Sequence, residues 1–227
     1  PGFLDDYAFT VHALIELHQA RQEPRWLEAA LELFELQNEL FFDEEKGDYY
    51  STDGRDETLV VRRVEAFDNV VPTGRSITAL NALRLADLFL DKSLAERASA
   101  LFSATPDAVH KHPGAFSQLL IALDYALDRS KEIALAGPLE DPAMRAMRAA
   151  LETGFHPNKV IAAGSNEGAS FDVPLLAGRA LKEGKVTAFV CESGACQLPT
   201  TDAGEAAGLA FTMNPLAAEL PRQGDAS

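Results

Sequence analysis

The chain has 227 residues, 47% of them hydrophobic, which is enough for one sizeable core or for a domain with an appendage and excludes a disordered chain. Its 20 Lys and Arg against 35 Asp and Glu give a net charge of -15 spread along the sequence, which argues against nucleic acid as a partner, since phosphate-backbone binding needs clustered basic side chains. There is no apolar run of the roughly 18 residues a membrane span requires and no signal-peptide pattern at Pro1-Gly2-Phe3, so the expectation is a soluble, cytoplasmic protein without membrane contact.

The chain opens without an initiator Met and directly on a helix, which reads as the later part of a longer protein that has lost its front half. Residues 4 to 20 place Leu4, Tyr7, Ala8, Val11, Leu14 and Ile15 on one face and predict an amphipathic helix. Glu23-Pro24 breaks it, and Trp26, Ala29, Ala30, Leu33, Leu36 and Leu40 mark a second helix to about residue 42, antiparallel to the first because the link is short. The run from Asp43 to Asp48 has turn composition. After it, Tyr49-Tyr50 and Thr58-Leu59-Val60-Val61 predict a β-hairpin over 48 to 64 with Asp53-Gly54 at its turn. A third helix is predicted from Thr73, its N-cap, to Leu90, a fourth over 93 to 104 and a fifth over 113 to 128.

The pattern then changes. Glu132 to Gly137 reads as a buried strand, Asp141-Pro142 opens a helix to Leu151, and short strands follow at Lys159 to Ala162 and Val186 to Val190. The predicted organisation is a mainly α unit over 1 to 129, a small α/β appendage over 130 to 202, and a frayed tail over 203 to 227. Helical hairpins recurring every 35 to 50 residues suggest a repeat architecture, and a closed toroid fits the irregular loops better than a solenoid.

In an up-down array alternate helices are parallel, so the starts of the first, third and fifth helices gather at one rim together with the turn after the second. This brings Asp5, Asp6, Asp48, Tyr49, Tyr50, Glu65, Asp68, Asn69, Arg75 and His112 toward one site, where helix N-termini favour carboxylates and hydroxyl-rich ligands. Paired carboxylates are the requirement of glycoside hydrolysis, one as acid and one as base or nucleophile, and Asp5, Asp6, Glu65 and Asp68 are the candidates. The plain alternative for Asp5-Asp6 is the acidic first turn common to helices. Tyr7, Tyr49, Tyr50, Asn69, Arg75 and His112 are candidate substrate-binding groups. Alternation puts Tyr49 and Tyr50 on opposite faces, so at most one of them lines a site.

His110 and His112 have no second histidine group at metal-ligand spacing, so no metal and no cofactor is expected. Cys191 and Cys196 form a CxxxxC pair at a strand exit and are the redox candidates. They can form a disulfide or bind a metal with other ligands, and the spacing is not that of a CxxC motif; two structural or inert thiols are the preferred reading. The glycines near 164 to 168 lack both GxGxxG and a Walker lysine and read as a loop.

Five stretches together carry a resemblance: Gly2-Phe-Leu-Asp-Asp-Tyr-Ala8, Arg25-Trp-Leu-Glu-Ala29, Asp68-Asn-Val-Val-Pro-Thr-Gly-Arg-Ser76, Phe155-His-Pro-Asn-Lys-Val160 and Thr187-Ala-Phe-Val-Cys-Glu-Ser-Gly-Ala-Cys-Gln-Leu-Pro199. On these the chain resembles the C-terminal part of the YyaL-type thioredoxin-domain-containing proteins, relatives of spermatogenesis-associated protein 20. The resemblance implies an N-terminal thioredoxin-like domain, which this chain does not include, and a partial (α/α)6 toroid similar to six-hairpin glycosidases and N-acylglucosamine 2-epimerases. The family's Pro-Ser-Gly-Asn-Ser segment is Pro72-Thr-Gly-Arg-Ser76 here, with Arg75 in place of an amide. The function expected is a carbohydrate-processing, glycosidase-type toroid portion. The alternatives are a non-catalytic interaction or regulatory module and a sugar epimerase using His112. The expected partners are a carbohydrate or other small ligand, and either the rest of the same protein or a second copy to cover exposed helix flanks.

Overall fold

The computed structural model describes residues 2–55, 60–128, 130–165, 167 and 171–211. It is mainly helical with a small mixed sheet. Helices α1 (Leu4–Arg21) and α2 (Pro24–Phe41) form the expected hairpin, α2 beginning with Pro24 in its first turn, where a missing N–H costs nothing. A short ladder of β1 (Phe42–Asp43) and β2 (Asp48–Tyr49) follows, then α3 (Gly74–Phe89), α4 (Lys92–Ala104), α5 (Pro106–Lys111) and, after a 3-10 turn at Pro113–Phe116, α6 (Ser117–Leu127). The predicted fifth helix is thus a 3-10 turn and α6, and the short α5 before it was not foreseen.

Helix α3 is the centre of the helical layer. It packs against α1, α4 and α6, and twelve of its residues from Gly74 to Leu88 are buried, polar Arg75, Ser76, Thr78, Asn81 and Arg84 among them. Its partners show the direction of packing. Asp5 reaches Gly74 at one end of the α1/α3 pair and Glu16 reaches Arg84 at the other, so α1 and α3 are parallel. The close start is allowed by Gly74: a Cβ there would lie 2.5 Å from Asp5 Oδ1 and 2.9 Å from Asp5 Cα.

The predicted hairpin over 48 to 64 is corrected. The ladder runs between β1 and β2 around residues 44–47, with Phe42 opposite Tyr49 and Asp43 opposite Asp48. Thr58 and Leu59 lie outside the described residues, and Val60 and Val61 are exposed and in no strand. What joins the two segments is the Ser51 N–H donating to Arg63 O at 2.8 Å and the Arg62 guanidinium donating to Thr52 O.

The sheet has the order β4-β3-β5-β6, from β3 (Lys131–Ala136), β4 (Lys159–Gly164), β5 (Thr187–Glu192) and β6 (Ala195–Cys196). β3 is parallel to β4, with α7 (Pro142–Leu151) between them in sequence, and antiparallel to β5. Period-two alternation gives the sheet two apolar faces. Ala134, Val160 and Ala162 belong to the core of the helical layer, while Ile133, Leu135, Ile161, Ala188 and Val190 pack with Met144, Met147 and Leu151 of α7. One core cluster therefore runs from α1 through α3 into the sheet.

β4 is an edge strand whose open side would present unpaired amides. Gln19 and Gln22, at the end of α1, close it: Ile161 N donates to Gln19 Oε1 at 2.9 Å, Ala163 N donates to Gln22 Oε1 at 2.6 Å, and both side-chain amides donate back to Ile161 O. The start of the predicted tail is also corrected. Ala203–Ala210 is a helix, α8, capped by Asp202 and packed on α7, its Ala206 and Ala210 buried. No helix among the described residues is long and apolar enough to cross a membrane.

Candidate functional site

The starts of α1, α3 and α6 do share one end, and the carboxylates expected at that rim are there. Two of them are spent on main-chain amides. Asp5 Oδ1 accepts from Gly74 N, the first residue of α3, at 2.7 Å. Asp68 Oδ1 accepts from Thr73 N at 3.0 Å and Thr73 Oγ1 at 3.2 Å, and its Oδ2 accepts from Gln118 N at 2.8 Å and Leu119 N at 3.3 Å. The residue before α6, Phe116, provides no side-chain cap, so Asp68 caps α6 from a distant loop. Asp6 accepts from Phe3 N at 2.8 Å in its own first turn.

Glu65 and Asn69 are exposed and line, with Asp5, Phe67 and the 70–73 segment, a shallow depression of about 380 Å³; Asn69 Oδ1 accepts from Val70 N. The remaining expected binders are dispersed. Arg75 is 1% exposed and corrects its reading as a ligand contact: its Nε donates to Asp48 Oδ1 at 2.6 Å and its Nη2 to Leu101 O and Thr105 Oγ1. Tyr49 is fully buried, its hydroxyl donating to Asn38 Oδ1, and burial pushes its phenol well above the usual range. Tyr50 faces the other way, donating to Asp43 Oδ2 with the Arg62 guanidinium 4.1 Å over its ring. Tyr7 packs edge-on to Phe41. His112 is exposed on the link between α5 and the 3-10 turn.

A second carboxylate pair, not anticipated from the sequence, lies at the opposite end of α3. Asp87 Oδ2 accepts from the Tyr125 hydroxyl at 2.6 Å and Ser130 Oγ at 2.9 Å, and Glu132 on β3 accepts from Gly194 N at 3.3 Å. Burial raises both acids, and for Glu132 the Asp87 charge adds to it. They share a hollow of about 440 Å³ with Lys92 and Ser193.

A larger crevice, about 810 Å³, opens outside the carboxyl ends of the parallel strands β3 and β4. Crevices in this position of an α/β sheet are where ligands commonly sit. The strands leave through Gly137 and Gly164, both at positive φ (143° and 125°), so the backbone bends away without a side chain blocking the opening. The opposite wall is the end of α1, with His18 and Gln22, and the start of α2; Leu176, Arg179 and Leu181 complete it. His18 is 1% exposed, and burial, with Arg148 and Arg84 nearby, lowers its pKa to about 4. It is therefore neutral at pH 7. The Gln19 amide lies 3.4 Å from its Nδ1, and its other ring nitrogen has no hydrogen-bond partner among the described residues. The signal for His18 was present in the sequence: it continues the stripe Leu4, Ala8, Val11, Ile15 at spacings of four and three, so a histidine on the buried face was legible.

The two cysteines, read as structural or inert thiols with a disulfide left open, are joined in a disulfide across the β5/β6 hairpin. Gly194 in that hairpin's turn is the residue whose amide holds Glu132.

These features define a helical layer packed on a mixed sheet, with a ligand-sized crevice between the two. No protein-family model matches the chain. It is similar to human spermatogenesis-associated protein 20, 32% identical over 205 residues that make up 88% of this chain, and to the rat protein of the same name, 31% identical over the same share. It is also 28% identical over 200 residues, 87% of the chain, to an uncharacterized protein of Caenorhabditis elegans. The chain spans about a quarter of the length of the curated relatives it matches, 26% for the human and rat proteins.

Proposed function

We propose that this chain is the metabolite-binding portion of a larger carbohydrate-processing-like protein, and that its ligand seat is the crevice at the carboxyl ends of β3 and β4. The observation that carries the reading is a buried, neutral His18 in the wall of an 810 Å³ crevice, one of its ring nitrogens without a hydrogen-bond partner among the described residues. A neutral imidazole suits a hydroxyl better than an anion, because it donates or accepts one hydrogen bond without a charge to neutralise. Ser165 and the main chain beside Gly137 and Gly164 add polar groups for a hydroxyl-rich, sugar-class ligand. The arc of an (α/α)6 toroid, part of the same proposal, is supported by the successive helical pairs α1/α2 and α3/α4 and by parallel α1 and α3.

A binding role is favoured over glycoside hydrolysis at the rim. Hydrolysis needs one carboxyl free to donate a proton and a second free to act as base or nucleophile; both oxygens of Asp68 and one each of Asp5 and Asp6 already accept from main-chain amides, which leaves Glu65 as the one rim candidate without such a bond among the described residues.

The test is an amide-resolved NMR titration with a panel of mono- and disaccharides. Shifts at Gln22, Gly137 and Gly164 that vanish in His18→Phe support the reading. Shifts confined to Glu65, Asn69 and Thr73 would transfer the site to the rim, and an unresponsive spectrum across the panel would refute the sugar class.

A further inference from the structure

The sulfur atoms of the β5/β6 hairpin have a cation for company. Cys191 is 1% exposed and Cys196, opposite it in register, is exposed on the two-residue edge strand β6. The Arg179 Nη2 lies 3.1 Å from Cys196 Sγ and 3.6 Å from Cys191 Sγ, with its guanidinium 5.0 Å from the Phe189 ring centre. In a chain with 35 acidic residues and a net charge of -15, Arg179 has no carboxylate within 4 Å among the described residues, Glu132 feeling its charge from farther away, and its buried Nε has no hydrogen-bond partner among them. A neutral disulfide is a weak acceptor for a guanidinium. A thiolate is a strong one. An open pair therefore offers Arg179 a charged acceptor at 3.1–3.6 Å that the closed disulfide does not.

We propose that Cys191–Cys196 is a thiol–disulfide exchange site that accepts electrons from a dithiol reductant, with Cys196 as the attacked sulfur, Cys191 as the leaving thiolate and Arg179 as the positioning residue. The thiolate of the reductant approaches Cys196, the accessible sulfur, and forms a mixed disulfide with it. The Cys191–Cys196 bond breaks and its electron pair passes to Cys191 Sγ, beside Arg179. The second thiol of the reductant then attacks its own sulfur in the mixed disulfide, releasing Cys196 as a thiolate. The protein gains two electrons and two protons, and the reductant leaves as its disulfide. A cation beside the leaving sulfur lowers its pKa and speeds departure. The hairpin's Ser193-Gly194 turn, with φ of 53° and 81°, has the left-handed pair that closes a two-residue hairpin without the disulfide, so the strands stay paired when it opens.

The experiment exposes the folded chain to dithiothreitol without denaturant, quenches with an alkylating reagent and measures mass, with circular dichroism recorded in parallel. The expected result is reduction within minutes with the spectrum unchanged, and reoxidation by oxidised dithiothreitol. In Cys191→Ser, glutathione disulfide labels Cys196; in Cys196→Ser, Cys191 stays unlabelled. Arg179→Gln slows native-state reduction about tenfold, as a leaving-group pKa raised by roughly two units would require, and Arg179→Lys retains most of the rate. Reduction only in denaturant would overturn the proposal, as would labelling of Cys191 in preference to Cys196. A melting curve checks that Arg179→Gln is folded. If it is not, the pH dependence of alkylation of the reduced wild-type pair decides: a midpoint below that of free cysteine is expected, and a midpoint at or above it overturns the role of Arg179.

Discussion

Replacing Asp68 by alanine tests whether the rim carboxylate is an anchor. Its two oxygens accept four hydrogen bonds, from Thr73 N, Thr73 Oγ1, Gln118 N and Leu119 N, at 2.8 to 3.3 Å. The last two are first-turn amides of α6, whose N-cap position offers no side-chain acceptor, so the substitution removes a helix cap worth about 1 kcal/mol. Losing the negative charge at that helix start costs roughly 0.5 kcal/mol more. The Thr73 pair, which ties the loop to the start of α3, adds about 1 kcal/mol. The sum is about 2.5 kcal/mol, discounted because Asp68 is only half-buried and water replaces part of what is lost. The expected outcome is a fall in melting temperature of roughly 4–8 °C for a chain of this size, with the urea slope unchanged. Glu65→Ala, at an exposed neighbour, is the control and should shift stability by less than about 0.5 kcal/mol. Asp68→Ala melting together with that control would refute the anchoring argument and return the carboxylate to a role at the rim.

Asp48→Ala leaves the Arg75 guanidinium buried without its carboxylate and should cost about 3–5 kcal/mol, more than Asp48→Asn, by chemical denaturation; equal losses would show that charge is not what matters. Gly74→Ala places a Cβ 2.5 Å from Asp5 Oδ1 and should destabilise by about 1–3 kcal/mol through separation of α1 and α3, whereas a neutral result would mean the helices adjust freely. His18 has a pKa of about 4 in the folded chain against an ordinary 6.5, so the unfolded chain binds the extra proton first as pH falls. Stability should be full above pH 6.5 and drop by up to about 3 kcal/mol toward pH 4. Urea titrations at pH 7.5, 6 and 4.5 would show this fall, and His18→Phe should flatten it; an unchanged slope in that variant would assign the loss to other groups.

Much of the fold was legible because its signals are local. Helix periodicity, Pro24 and Pro142 at helix starts and the Thr73 cap placed α1, α2, α3 and α7 within a residue or two, and the apolar runs located β3, β4 and β5. Where the sequence reading failed, the deciding interaction was long-range. The β-branched run containing Val60 and Val61 has strand propensity, but Asp48-Tyr49 pairs instead with the residues just before the turn, Phe42-Asp43. Arg75 looked like a rim group from its place in a shaped loop, and only the arrival of Asp48 and Leu101 from elsewhere makes it a core residue. The crevice was invisible for the same reason: His18 and Gly137 are more than a hundred positions apart, and no local pattern announces that α1 ends where β3 and β4 end.

The rim shows why one physical rule supports opposite readings. Unpaired N–H groups at helix starts attract negative charge, so carboxylates clustered near three helix starts are what a binding site for a hydroxyl-rich ligand would look like. They are also what helices need when their own N-cap residues provide no acceptor. Phe116 is such a residue ahead of α6, and Asp68 fills its role. Gly74 N, in the first turn of α3, is reached by Asp5 because the glycine admits α1 to contact distance. The discriminating quantity is thus whether each carboxylate oxygen already has a main-chain donor within hydrogen-bond range. By that measure the imidazole of His18, buried in a crevice wall with a ring nitrogen that has no hydrogen-bond partner among the described residues, has more capacity left for a ligand than Asp68, both of whose oxygens are taken.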